Sequence, residues 1–105
     1  LKVKEAVPVL FDALKENKYK PIRKSILTAC WQNGLDYKNH LQTFVDLVIE
    51  EDWETGFEAF TVIDNMETLP GEDIIGPSID NAMRAINNAG EQKKYFLHEI
   101  VAKLR

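Results

Sequence analysis

Apolar residues recur every three or four positions along almost the whole chain, rather than alternating with polar residues. This spacing places them on one face of a helix, so it predicts amphipathic helices that each need a neighbour. In the second predicted helix, the apolar stripe consists of Ile22, Ile26, Ala29 and Cys30. We therefore predict an all-α fold. Its helices are expected near residues 6–17, 21–33, 38–50, 53–66, 74–88 and 91–104.

The apolar pattern occurs three times. A shift of 34 residues places Leu10 on Phe44, and a shift of 69 residues places Pro8 on Pro77. Self-similarity of this kind indicates a repeat fold, in which each unit is a helix pair that packs on the next pair. The sequence thus predicts one domain over residues 1–105, with repeats near 6–34, 38–67 and 74–105.

Proline, glycine and asparagine mark the expected helix ends. Pro8 and Pro77 are predicted in the first turn of a helix, where the missing N–H has no intrahelical partner to lose. Asn33-Gly34 is typical of a C-terminal cap in which Gly adopts the left-handed conformation. The turn residues of segment 67–73 predict the longest loop between repeats, and segment 87–90 predicts a turn inside the third repeat.

The first copy resembles a HEAT repeat of the HEAT/armadillo-like superfamily. The resemblance is carried by Ala6-Val7-Pro8-Val9-Leu10, by Ala13-Leu14, by Ile22-Arg23-Lys24-Ser25-Ile26 and by Gly34. It implies a right-handed α–α superhelix, a solenoid of about three antiparallel helix pairs. It also implies that the second helix of each pair lines a concave face.

The later copies depart from the family pattern. Copy two has Gly56-Phe57, and copy three has Lys93-Lys94, where the family has a Val-Arg pair. The turn Asp of the family is replaced by Asn17 in copy one and is matched by Asp52 in copy two. These departures put a regular Asp–Arg ladder between repeats in doubt.

Composition fits one globular unit with a core. The chain has 105 residues, of which 45% are hydrophobic and 29% are charged, so it is neither disordered nor fibrous. Thirteen Lys and Arg against seventeen Asp and Glu give a net charge of −4. Because neutralising phosphates normally needs an excess of basic residues, nucleic-acid binding is not expected.

The charges are unevenly distributed along the sequence. Residues 1–24 contain seven basic and three acidic groups, residues 36–80 contain one basic and twelve acidic groups, and residues 81–105 contain five basic and two acidic groups. This asymmetry favours a basic partner that is steered to the acidic middle, or weak head-to-tail self-association. A solvated surface whose charge varies without function is the alternative.

Residues with catalytic or metal-binding chemistry are few and scattered. His40 and His98 have no Cys or His neighbour at zinc-ligand spacing. Cys30 lies on an apolar stripe, where a thiol packs as a small hydrophobe. The acidic run Glu50-Glu51-Asp52 lacks the spaced ligands and turn glycine of a calcium loop. We therefore expect no catalytic residue, metal or cofactor.

One cysteine cannot form an internal disulfide, and no apolar run approaches the length of about 20 residues that a membrane-spanning helix needs. We accordingly expect a cytoplasmic protein with no membrane partner. The sequence begins at Leu1 rather than Met, which is consistent with a fragment of a longer array.

The predicted contact residues share an outward position on the second helix of a repeat, and they form three rows across the repeats. These rows are Lys24, Glu58 and Tyr95; Leu27, Thr61 and His98; and Trp31, Asn65 and Ala102. Trp31 has two interpretations. It is either an anchor of the kind that interface hot spots use or a packing residue between repeats.

From these features we expect a noncatalytic scaffold that binds a protein or peptide, with a basic partner favoured, on its concave face. One alternative is an accessory or catalytic domain that resembles HEAT-like lyases or DNA-repair proteins, which would need an enclosed cleft or a basic groove. Another is a plain six-helix bundle that acts as a dimerisation module.

Overall fold

The computed structural model describes residues 12–14, 16, 21–32 and 37–105. All regular structure within these ranges is helical, which confirms the predicted all-α class. Residues 12–14 are helical, as expected for the first predicted helix. The rest of that helix, its Pro8 and the predicted cap at Asn33-Gly34 lie outside the described residues.

Five longer helices follow the predicted map within a few residues at each end. They are α1 (Arg23–Gln32), α2 (Leu41–Glu50), α3 (Trp53–Asp64), α4 (Glu72–Ile86) and α5 (Glu91–Leu104). A short 3₁₀ turn, Lys38–His40, leads into α2.

The connections between these helices differ in length as the turn residues predict. Residues 51–52 join α2 to α3, residues 87–90 join α4 to α5, and residues 65–71 join α3 to α4. The last of these is the longest connection between consecutive helices from α2 onwards, and it overlaps the predicted loop at 67–73.

The helices pack as hairpins in two layers. Helix α2 packs on α3 and α4 packs on α5, while α1 packs on α3, α3 packs on α5, and α2 packs on α4. The molecule is 19 Å thick in its shortest direction, which is close to two helix diameters of about 10 Å each.

One hydrophobic core lies between the layers and extends across all five helices. Full burial of each large apolar side chain contributes about 1.5–3 kcal/mol to stability. The largest side chains that are fully buried are Phe44, Leu14, Leu27, Leu41, Ile63, Leu97 and Ile100.

The buried stripe of α1 differs from the prediction by one residue. The sequence pattern predicts that Ile22 and Ile26 lie in the core and that Leu27 faces outward. In the structure Leu27 is fully buried with Arg23 and Cys30, whereas Ile22 is exposed and Ile26 is only partly buried. The outward position predicted for Leu27 is therefore wrong.

An ion pair between Arg23 and Glu51 accounts for this rotation. The Arg23 guanidinium donates to the Glu51 carboxylate over 3.1 Å, and the two side chains are only 8% and 9% exposed. Arg23 also donates to the backbone carbonyl of Glu16 over 3.4 Å. Because Arg23 is drawn inward to the connection between α2 and α3, the next turn of α1 brings Leu27 inward.

Burial makes the remaining partners of Arg23 important to the stability of the pair. Taking two charges out of water costs several kcal/mol per ion, and attraction and hydrogen bonds must offset that cost. The Arg23 Nε atom finds no acceptor among the described residues. Removal of Glu51 would therefore leave a buried guanidinium with little compensation.

Helix α4 begins earlier than its apolar pattern suggests, which corrects the placement of Pro77. Gly71 precedes the helix, and its carbonyl accepts from the N–H groups of Ile74 and Ile75. Pro77 consequently lies in the second turn, where a residue would normally donate to the carbonyl of Asp73. The proline interrupts one hydrogen bond of α4 and does not start the helix.

Two lysines of α5 bind the carboxyl ends of the preceding hairpin. Lys93 donates to the carbonyl of Ile49 over 2.7 Å, and Lys103 donates to the carbonyl of Asp64 over 3.0 Å. A cation is favourable at a helix C-terminus because the last carbonyls carry partial negative charge. These contacts fix α5 against the ends of α2 and α3.

We predict that Glu51→Ala lowers the free energy of unfolding by about 3 kcal/mol, since it strands the buried charge of Arg23. Urea denaturation would measure the loss. Glu54→Ala is the matched control because Glu54 forms an exposed ion pair with Lys24. This control should leave the urea midpoint nearly unchanged. Equal effects of the two substitutions would contradict a special role for the buried pair.

Candidate functional site

The predicted contact residues lie on the outer face of α1, α3 and α5, apart from Leu27. Their exposure divides them into two groups. Lys24, Asn65, Tyr95 and His98 are exposed, whereas Trp31, Glu58 and Thr61 are half-buried.

Glu58 joins α3 to α1. Its carboxylate accepts from the indole Nε1 of Trp31 over 3.0 Å and also from the hydroxyl of Thr28. The Trp31 ring packs against the hydrophobic core. These contacts assign Trp31 to packing between α1 and α3.

Lys24 pairs with Glu54 over 2.9 Å near the start of α3. The hydrogen bond and charge of Glu54 raise the pKa of Lys24 above its usual value. The sequence places Lys24 and Glu58 in one predicted row, and the ion pair forms with Glu54, which lies one helical turn before Glu58. Because the bond from Arg23 to Glu51 aligns the first turn of α1 with the start of α3, Lys24 meets Glu54 instead.

A cluster of five aromatic rings lies on the other side of α3, at its junction with α5. We call it the aromatic cluster, and Phe96 is its buried centre. The ring of Phe60 stacks on Phe96 with centroids 5.0 Å apart, and Phe57 lies 5.8 Å from Phe96. Trp53 and Phe57 stack at 5.8 Å with their planes only 12° apart. Tyr95 meets Phe96 edge to face.

Three rings of the aromatic cluster remain exposed to solvent. Trp53 is 45% exposed, Phe57 is 41% exposed and Tyr95 is 61% exposed. Sequence reasoning selected Tyr95 but neither Trp53 nor Phe57. The spacing of Trp53, Phe57 and Phe60 along one helix was a signal, but a helical aromatic stripe is usually part of a core.

An open cleft of about 910 Å³ lies beside the aromatic cluster, and Trp53 belongs to both. It opens between the end of α2, the start of α3 and the connection between α4 and α5. Its apolar lining is supplied by Ile49, Trp53, Ala85, Ala89 and Leu97, and its polar lining by Asn88 and residues 90–93. We call it the Trp53 cleft. Its size is typical of pockets that hold a ligand or a large side chain.

A second, smaller cleft of about 510 Å³ lies around the same connection and is acidic. Carboxylates supply most of its polar lining. Its lining residues are Pro21, Lys24, Glu50, Glu51, Asp52, Glu54 and Thr55. We call it the acidic cleft.

Asp52 caps the N-terminus of α3. Its carboxylate accepts from the backbone N–H of Thr55 over 2.9 Å. That hydrogen bond favours the ionised carboxylate and holds the pKa of Asp52 below its usual value. The charge also lies at the positive end of the helix dipole.

Cys30 and the two histidines lie in different surroundings. Cys30 is buried, and burial raises the pKa of its thiol although a hydrogen bond with Tyr37 acts in the opposite direction. A protonated, buried thiol is a poor nucleophile. His98 is exposed on α5, and His40 lies in the 3₁₀ turn before α2.

The described part of the chain contains no group of three or more His, Cys, Asp or Glu side chains that could hold a metal ion. Within the same ranges, none of the helices has both the length and the apolar character needed to cross a membrane.

We predict that Trp31→Ala lowers the free energy of unfolding by about 2 kcal/mol, because it removes packing and leaves Glu58 without its indole donor. Thermal or urea denaturation would measure this. Tyr95→Ala is the control because Tyr95 is mostly exposed, and it should change stability much less. A stability loss that is no larger for Trp31→Ala than for Tyr95→Ala would contradict the packing role.

We also predict that Asp52→Ala destabilises the protein at pH 7 by about 1 kcal/mol, as expected for loss of an N-cap. The native pKa of Asp52 is depressed, so its ionised form stabilises the fold above the unfolded pKa near 4. This contribution disappears as pH falls through the native pKa. Urea titrations should therefore show the difference between wild type and Asp52→Ala shrinking below about pH 4. A difference that stays constant down to low pH would contradict an ionised cap.

Comparison with known proteins gives no family or relative from which a function could be transferred. No protein-family model, no curated protein and no solved structure matches this chain. The function must therefore be inferred from the outer face of α1, α3 and α5 and from the two clefts beside it.

Proposed function

We propose that this chain is a noncatalytic, HEAT-like helical-repeat module that binds a protein or peptide through the outer face of α3 and α5. The observation that carries the proposal is the exposure of Trp53, Phe57 and Tyr95 together on one surface. In a HEAT-like array this surface belongs to the second helices, which line the concave side.

The packing of the helices supports the repeat interpretation. The first helices of successive pairs contact each other, as α2 and α4 do, and so do the second helices α1, α3 and α5. Such nearest-neighbour stacking is what a solenoid requires. The ion pair from Arg23 to Glu51 also links consecutive repeats.

The aromatic cluster supports a binding role on energetic grounds. Exposed apolar side chains that occur singly need no explanation, but contiguous ones commonly mark an interaction site. Tyr and Trp are enriched among the residues that dominate binding energy. Because the exposed rings of Trp53 and Phe57 are already stacked, a partner would immobilise them at little entropic cost.

The contact surface in this proposal differs from the three rows of contact residues that the sequence predicts. Tyr95 and His98 remain in it, and Trp53 and Phe57 are added. Trp31 is left out because it is engaged between α1 and α3. Lys24, Glu58, Thr61 and Asn65 form the border of the surface on the α1 side.

The charge of this face argues against the DNA-repair alternative. A basic groove would be needed to bind phosphates. Lys24 is instead matched by Glu54, with Glu58 one turn further along α3.

A random phage-displayed peptide library, panned on the immobilised chain, tests the proposal. We expect enriched peptides that bind wild type and lose at least about tenfold in affinity for the double variant Phe57→Ser/Tyr95→Ser. Met83→Ser is the matched control. Met83 is an apolar side chain that is 45% exposed, close to the 41% of Phe57, but it lies on α4. This variant should bind like wild type.

Circular dichroism and urea denaturation must first establish that the double variant is folded. Failure to enrich any peptide, or enriched peptides that bind the folded double variant as tightly as wild type, would refute the proposed surface.

A further inference from the structure

We infer that the partner segment is basic and carries one large apolar side chain, which enters the Trp53 cleft while its Lys or Arg residues contact the acidic cleft. This inference rests on the proposed function and adds the chemistry of the partner. The two sites share Trp53, which lines the Trp53 cleft and stacks on Phe57 in the aromatic cluster, so a partner that covers the exposed rings also reaches the cleft. The inference follows from the position of the two clefts relative to the connection between α2 and α3.

The Trp53 cleft has the properties of an anchor pocket. Its walls are mostly apolar, and the half-exposed indole of Trp53 offers a flat surface to an incoming ring or aliphatic chain. The ammonium group of Lys93 borders the cleft but is bound to the carbonyl of Ile49. Lys93 therefore serves as part of the wall, and the cleft presents mainly apolar surface.

The two clefts lie around one short segment of chain. Ile49 and Trp53 line the Trp53 cleft, whereas Glu50, Glu51, Asp52 and Glu54 line the acidic cleft. A partner that crosses this segment would meet apolar surface on one side and carboxylates on the other. We take the distance that the partner must cross between the two clefts as the width of one helix, about 10 Å. An extended peptide covers that distance with about three residues.

The net charge of the acidic cleft determines whether a positively or a negatively charged partner is favoured. Among the described residues, the four carboxylates of the acidic cleft are opposed by Lys24 within it, by buried Arg23 beside it and by Lys93, whose charge lowers the pKa of Asp52, which leaves a net charge of −1. Glu50 is exposed at the rim. An incoming cation is attracted to this cleft, and an incoming anion is repelled.

Carboxylates also border the aromatic cluster. Glu91 and Glu99 lie one helical turn before and after Tyr95, and both are exposed. Glu54 lies one turn before Phe57. Lys103, which follows on α5, is bound to the carbonyl of Asp64. Glu54, Glu91 and Glu99 therefore add negative charge beside the exposed rings.

The test uses two phage libraries that are identical except for charge. Each displays short peptides with one fixed Trp and random neutral positions. One library has two fixed Arg residues about three positions from the Trp, and the other has two fixed Glu residues. We expect enrichment from the basic library only, with an affinity that falls at least about fivefold between about 50 and about 300 mM salt.

Variants of the protein then show which carboxylates contribute to peptide affinity. Glu50→Gln/Glu54→Gln should weaken the best basic peptide by at least about fivefold, because it removes two carboxylates from the acidic cleft. Glu67→Gln/Glu72→Gln is the control, since it changes the net charge equally at exposed positions before and at the start of α4. It should have little effect. Equal loss in both variants would indicate only a general charge effect and would overturn the inference.

A second readout tests the anchor. Basic peptides whose Trp is replaced by Ser should lose at least about tenfold in affinity, and Ala89→Trp, which narrows the cleft, should weaken the Trp peptide similarly. If a folded Ala89→Trp variant binds the Trp peptide like wild type, the anchor does not occupy the Trp53 cleft.

The outcomes separate this inference from the proposed function. Enrichment from both libraries, lost in Phe57→Ser/Tyr95→Ser, would overturn the inference and leave the proposed function standing. Enrichment from neither library would overturn the inference, and the random library would then decide the proposed function separately. Concentration-dependent dimerisation that the same double variant abolishes would assign the face to a second copy of this chain, and would also overturn the inference.

Discussion

The position of α1 depends on one buried ion pair, between Arg23 and Glu51. A charged side chain can remain buried only if its partner is close and well oriented, so the pair restricts the rotation of α1 tightly. Once Arg23 faces inward, Leu27 enters the core and Lys24 is carried to the start of α3. The contacts of Thr28 and Trp31 with Glu58 follow one and two turns later along α1. The whole junction between α1 and α3 is thus fixed from one end.

Helix α3 has a different neighbour and a different chemistry on each side. Towards α1 its contacts are polar and directional, made by Glu54 and Glu58. Towards α5 they are aromatic, and the buried ring of Phe96 holds Trp53 and Phe57 in place from beneath. On the side towards α1, these carboxylates form hydrogen bonds within the protein. The aromatic side leaves ring surface exposed, which is why we place the proposed contact surface there.

Three basic residues near this surface have structural partners. Lys93 and Lys103 bind carbonyls at the ends of α2 and α3, and Lys24 binds Glu54. Exposed carboxylates such as Glu50 are correspondingly in excess around the connection between α2 and α3. The surface therefore combines apolar rings with a negative border, a combination that suits a cationic segment with an apolar anchor.

The sequence by itself determined the helices, their approximate ends and the positions of the longer connections, because apolar spacing and turn residues act over a few neighbouring positions. It also indicated the burial of Cys30 and the exposure of Tyr95. It did not determine the rotation of α1, which placed Leu27 in the core, or the alignment of Lys24 with Glu54. Those features depend on Glu51, which lies 28 residues from Arg23. The exposed cluster of Trp53, Phe57 and Tyr95 likewise arises only when α3 and α5 meet. An aromatic residue at helical spacing has the same local pattern in a core as on a surface, and only the tertiary structure decided which rings stay in contact with water.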